Sequence, residues 1–180
     1  MDDLGLELKF AGGAPVLTDE AGTAVIEGYA SLFGLADQGG DIVAPGAYSA
    51  SLKRLAEKGD KVRMLWQHDP GQPIGIWDEV REDERGLWVR GRLLPDIARA
   101  REAAALIAAG AIDGLSIGYR TVRAERDAQG RRVLTEVELW EVSLVTFPML
   151  REAKVGRKSE DLGEDDLAEA LRAAAQALRR

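Results

Sequence analysis

Apolar and polar positions divide this chain into short β-type runs separated by turn formers, with helical spacing in two places. Ala24 to Phe33 is apolar, contains Val, Ile, Tyr and Phe, and lies between Gly22 and Gly34, which predicts a strand opening the core sheet. Asp37 to Gly46 is dense in Gly, Asp and Pro and predicts a loop, after which Tyr48 to Lys58 has helical spacing and stops at Gly59. Val62, Met64, Trp66 and His68 share one parity, so Val62 to His68 predicts a brief strand whose apolar face ends in an imidazole, with the turn following at Asp69-Pro70-Gly71. Ile74 to Val80 and Leu87 to Leu93 flank the acidic tip Glu82-Asp83-Glu84-Arg85-Gly86 and predict a hairpin whose arms contribute Trp77 and Trp88. Ala98 to Ala109, closed by Gly110, predicts a second helix. Ile112 to Val122 and Arg132 to Thr146, joined by the polar segment Arg123 to Gly130, predict two further strands.

From Glu152 onward the pattern changes to charge and alanine, and Leu167, Leu171 and Leu178 fit one face of a helix after Gly163. The predicted organisation is therefore a core over residues 1–151, with about six strands and two packed helices, and a charged, Ala-rich helical tail over residues 152–180. A chain of 180 residues can bury a substantial core as one domain.

Composition narrows the chemistry. There is no cysteine, which removes disulfides, thiolate nucleophiles and sulfur-ligated metals, so any covalent nucleophile is an oxygen. The start, Met1-Asp2-Asp3-Leu4-Gly5, is acidic where a secretory signal is basic, and no apolar run approaches the ~18 residues that would span a bilayer. The chain reads as intracellular and soluble, with no membrane partner. A net charge of -7 and a pI near 4.9 argue against nucleic-acid binding and for protein or peptide partners. No cofactor or metal is expected.

His68 is the one histidine, hence the one side chain suited by type to general-base work near neutral pH. A lone histidine beside a turn is more often structural than catalytic, so its neighbours must decide. Ser116 sits in Gly114-Leu115-Ser116-Ile117-Gly118, and on an extended strand both glycines share its face and leave space around the hydroxyl. The spacing also matches the nucleophile elbow of α/β-hydrolases, but that elbow needs a helix after the serine and a histidine last in chain order. Here the strand-like Tyr119 to Arg123 follows and His68 comes first, so that fold is excluded. Over Val133 to Val145, Glu141 shares parity with Val133, Val137, Leu139 and Val145, so in the absence of a bulge it faces the core. A carboxylate there needs a partner: a buried arginine such as Arg63 or Arg120, or a histidine whose tautomer it holds.

Five ordered segments resemble the prohead maturation proteases of tailed phages, which are distantly similar to the herpesvirus assemblins. They are Tyr29-Ala30-Ser31-Leu32-Phe33, Gly40 through Tyr48, Leu65-Trp66-Gln67-His68-Asp69, Gly114 through Tyr119, and Leu139 through Val145, and the likeness spans Glu27 to Pro148. The resemblance implies an assemblin-like antiparallel β-barrel with packed helices, mainly β in class, and a serine endopeptidase with His68 as base, Ser116 as nucleophile and Glu141 orienting the histidine. Herpesvirus proteases resemble the last segment with a second histidine where this chain has Glu141. After Pro148 the chain reads Met149-Leu150-Arg151 in place of an Asn-Pro-containing continuation, so no oxyanion donor is assigned, Arg151 included. The implied substrates are the scaffold segment of the major capsid protein and the chain's own tail, cut in the host cytoplasm inside the assembling prohead by a homo-oligomer. Two rivals are a non-enzymatic capsid-assembly module of the same fold, and a hydrolase using paired carboxylates such as Glu138 and Asp113.

Overall fold

The computed structural model describes residues 7–10, 16–20, 23–37 and 39–146, with residues 7–10, 16, 19 and 20 described by backbone alone. Nine strands and two helices run in the order β1 (Glu7–Phe10), β2 (Val16–Glu20), β3 (Thr23–Leu32), β4 (Ile42–Val43), α1 (Ser49–Lys58), β5 (Arg63–Trp66), β6 (Asp69–Glu82), β7 (Gly86–Leu93), α2 (Ala98–Ala108), β8 (Gly114–Arg126) and β9 (Arg132–Val145). All the strands join one sheet in the order β1-β8-β9-β5-β6-β7-β3-β2, with β4 paired to β9 off that path. Among the described residues the pairing path is open, with no hydrogen-bonded pairing that closes it into the expected barrel. The β5–β9 and β4–β9 pairings are parallel, while the others are antiparallel. The fold is therefore a mainly β, largely antiparallel open sheet with two helices.

Both helices end where the sequence predicts. Gly59 and Gly110 adopt φ of 68° and 73°, the left-handed conformation that a residue without Cβ takes at least cost. β1, β2 and β4 were not predicted; β4 is two residues long, too short for any periodic signal. The predicted tail helix and Arg151 lie outside the described residues, and among those described no helix is long and apolar enough to cross a membrane.

The core fills one face of the sheet. Ile26, Ala30, Met64, Ile74, Trp77, Val89, Leu115, Ile117, Leu139, Val142 and Leu144 are buried together, with Ala47, Tyr48, Ala103 and Ile107 brought in from the helical segments. Each fully buried aliphatic side chain here contributes roughly 1.5–3 kcal/mol of transfer free energy. Ser51 of α1 is a polar exception, and its Oγ accepts a 2.9 Å hydrogen bond from Leu139 N.

That bond matters because β9 is irregular there. Tyr119 pairs with Leu139 but Gly118 pairs with Glu141, so Trp140 is one extra residue in β9, a β-bulge. A bulge shifts side-chain parity by one. Leu139 and Val142 consequently share the core face, three residues apart, and Glu141 is turned to the opposite face. Glu141 is still only 4% exposed, so the expected burial holds although the core-facing orientation does not.

Candidate active site

Glu141 and Ser143 on β9 and Ser116 and Gly118 on β8 make one patch on the face turned away from the apolar core. Ser116 is directly opposite Ser143, and Gly118 directly opposite Glu141. Such antiparallel pairs keep their Cβ atoms about 4.5–5.5 Å apart on one face. The patch is closed to solvent, with Ser116 and Ser143 both 0% exposed. β8 lies between β9 and β1, where Phe10 is the register partner of Ser116, so the serine is inside the ladder rather than on its edge.

His68 reaches this patch by an unexpected route. β5 ends at Trp66 and β6 begins at Asp69, its register partner, so Gln67 and His68 are the two central residues of a tight hairpin. Both have positive φ, 52° and 60°, as a type I′ connection demands. The predicted strand through His68 and the predicted turn at Asp69-Pro70-Gly71 are thus corrected: the turn comes two residues earlier and Asp69 to Gly71 lie in β6. Non-glycine residues in this region cost of order 1–2 kcal/mol each. Contacts from β9 and the residue after it offset that cost. Gln67 N donates to Leu144 O at 3.0 Å, Gln67 Nε2 donates to Thr146 Oγ1 at 2.7 Å, and His68 N donates to Ser143 Oγ at 3.2 Å.

The imidazole is thereby turned onto the carboxylate. His68 Nδ1 lies 2.5 Å from Glu141 Oε1, and the other carboxylate oxygen, Oε2, accepts a 2.6 Å bond from the Ser143 hydroxyl. A carboxylate at Nδ1 holds the proton there and leaves Nε2 as the basic nitrogen, which is the tautomer a general base needs. Nε2 itself is buried. Of the arginines considered as partners for Glu141, Arg120 pairs with Glu138 at 2.6 Å, and Arg63 is exposed although it is the register neighbour of Glu141 on β5.

Gly118 has a different use from the one expected. A Cβ at this position would overlap Glu141 Oε1 and crowd its Cδ and Cγ. The space left by the glycine is therefore occupied by the Glu141 side chain, whose Oε1 also meets His68 Nδ1. His68 and Glu141 are in contact, and Ser116 lies on the same face of the β8–β9 ladder as the register partner of Ser143, while the sequence reading missed Ser143 and the place of Gly118. Ser143 was findable, since it sits two residues from Glu141 on the same strand face; the role of Gly118 required the register. The paired-carboxylate alternative loses its geometry. Glu138 is opposite Arg120 in an ion pair, and Asp113 lies seven residues before Arg120, just ahead of β8, a separation of roughly 23 Å at ~3.3 Å per residue.

Comparison with known proteins bears on this site. A sequence model of the family described as caudovirus prohead serine protease matches residues 14–166. The prohead protease of Enterobacteria phage HK97 is 34% identical over 152 residues, covering 83% of this chain, which in turn spans 63% of that protein's length. The structure of the bacteriophage T4 capsid assembly protease superposes with a TM-score of 0.66 at 18% identity, covering 79% of this chain and 98% of that one, a likeness of fold.

Proposed function

Because the chain belongs to the caudovirus prohead serine protease family, we propose that it is a serine endopeptidase of capsid maturation in which Ser116 is the nucleophile, His68 the general base and Glu141 the group that orients His68. The observation that carries this reading is the 2.5 Å contact between His68 Nδ1 and Glu141 Oε1 beside the strand segment that bears Ser116. His68 Nε2 takes the Ser116 proton as Oγ attacks the scissile carbonyl. The resulting imidazolium, stabilised by Glu141, returns the proton to the leaving amine, and water then releases the acyl group by the reverse steps. Ser116 is buried, so productive binding requires displacement of the atoms that cover it.

The substrates we assign are the scaffold segment of the major capsid protein and the chain's own residues after Glu152, with cleavage inside the assembling prohead in the host cytoplasm by a homo-oligomer. The composition change at Glu152 motivates the self-cleavage assignment. We also take the sheet to belong with the assemblin-like barrels, a reading supported by the contact between β3 and β8, two strands far apart along the pairing path.

Co-expression with the cognate major capsid protein tests the proposal, with intact mass as the readout. Ser116→Ala and His68→Ala are each expected to fold and to abolish cleavage of both capsid protein and self, because neither removes much apolar volume. Capsid cleavage that persists in either variant overturns the assignment and favours the non-enzymatic assembly module. A single full-length mass for an enzyme that cuts capsid protein removes self-cleavage alone.

A further inference from the structure

We infer that Ser143 is a positioning residue that locks His68 and Glu141 together through one hydroxyl, an inference resting on the catalytic assignment above. Ser143 is fully buried, pairs across the ladder with Ser116, and is the point where the His68 turn and the Glu141 carboxylate meet. Its Oγ accepts from His68 N at 3.2 Å and donates to Glu141 Oε2 at 2.6 Å. Donor and acceptor capacities of the hydroxyl are thus both used, in directions that its chemistry allows.

Each bond does something the other cannot. The bond to Glu141 removes a rotational freedom: a carboxylate held only through Oε1 can swing about its terminal torsion, which is broad and soft. With Oε2 fixed by Ser143, and the carboxylate seated over Gly118, Oε1 is aimed at His68 Nδ1. Among the described residues no lysine or arginine pairs with Glu141, so this hydroxyl and the imidazole are the polar groups that hold the buried charge. The bond to His68 N fixes the backbone of a residue with φ of 60°, so the ring is carried into place by the turn rather than by its own side-chain torsions alone. A serine that merely satisfied a buried polar atom would need only one of these bonds.

The test compares the full-length chain with Ser143→Ala and Ser143→Cys, the latter similar in shape but a weak donor. The first readout is the rate at which a small alkyl fluorophosphonate labels Ser116, followed by intact mass. In that reaction the Ser116 Oγ–P bond forms, the P–F bond breaks with loss of fluoride, and His68 takes the hydroxyl proton. The second is the imidazole Nδ1–H resonance, which belongs unambiguously to His68 because the chain has one histidine; it is recorded in a Ser116→Ala background.

Ser143→Ala is expected to slow labelling on the order of 10- to 100-fold, the range for losing a hydrogen bond to a charged group. It should also move the Nδ1–H signal upfield or broaden it by exchange, while the thermal transition stays cooperative. Ser143→Cys should fall between Ser143→Ala and the parent in both readouts, and it carries the test if Ser143→Ala does not fold. Unchanged labelling overturns the inference, as does slower labelling with an unmoved imidazole signal, which would mark Ser143 as structural only. Failure of the parent to label at Ser116 sinks the catalytic assignment instead, and the imidazole signal still decides whether Ser143 positions His68.

Discussion

β6 is bounded by two turns built on opposite principles. At its far end, Asp83 organises the tip from within: its Oδ1 accepts from Arg85 N at 2.9 Å and Gly86 N at 3.2 Å, two and three residues away. At its near end, Gln67 and His68 contain no turn-forming residue, both have positive φ, and their side-chain and backbone anchors are 73 to 79 residues distant, at Glu141, Ser143, Leu144 and Thr146. The tip is closed by bonds two and three residues long, to which Tyr29 Oη of β3 adds a 2.8 Å bond at Asp83 Oδ2. The His68 turn takes its partners from β9 and Thr146, and that dependence couples the backbone of the proposed base to the strand that bears Glu141. Strain held in place from outside, beside a buried carboxylate, distinguishes the turn proposed for chemistry from the turn used for connection.

Four substitutions break or sharpen this contrast. The largest effect is expected from Glu141→Gln, which preserves shape but lets the amide favour the wrong imidazole tautomer; cleavage of capsid protein should fall on the order of 10²–10⁴-fold. Gly118→Ala comes next. Its Cβ would push the Glu141 carboxylate off His68, with kcat expected to drop on the order of 10–100-fold and stability by roughly 1–3 kcal/mol in denaturant titration.

Thr146→Val removes the acceptor for Gln67 Nε2 and loosens the turn without touching the imidazole. A loss of about 1 kcal/mol and a several-fold fall in turnover are expected. A variant as active and stable as the parent would mean that the turn does not need this anchor.

Asp83→Ala should lower the thermal midpoint and leave turnover unchanged, since the tip plays no part in the site. Its pH dependence has a definite sign. Partial desolvation raises the Asp83 pKa, but bonds from Arg85 N, Tyr29 Oη, Arg81 and Gly86 N together outweigh it and hold the carboxyl below its ordinary value. A depressed folded-state pKa contributes stability above the unfolded value, near ~3.9, and loses it as pH falls through the folded one. The midpoint gap between Asp83→Ala and the parent should therefore close in the acid range below about pH 4. A gap that persists there would mean that the tip does not depend on the charged carboxylate.

How much was legible follows the same division. Both helix ends were readable because Gly59 and Gly110 stop helices by local conformational preference. The hairpin of β6 and β7 was readable from its acidic tip. His68 and Ser116 were singled out by type and by flanking glycines, and Glu141 by parity, but the parity argument reached burial by a route the structure does not take. Trp140 is an extra residue whose bulge leaves Leu139 N to be taken by Ser51 Oγ of α1, 88 residues earlier, and nothing near Trp140 in the sequence announces that partner.

By itself the sequence determined six of the nine strands and both helices, where those helices end, the absence of thiol chemistry and the set of side chains from which a site could be made, because those follow from composition and from contacts a few residues long. Only the tertiary structure decided which face Glu141 occupies, that His68 sits in a left-handed turn, that Gly118 yields its space to a carboxylate, and that Ser143 joins the two. Those features depend on strand register and on hydrogen bonds between segments tens of residues apart, where local conformational preference carries no information about the partner.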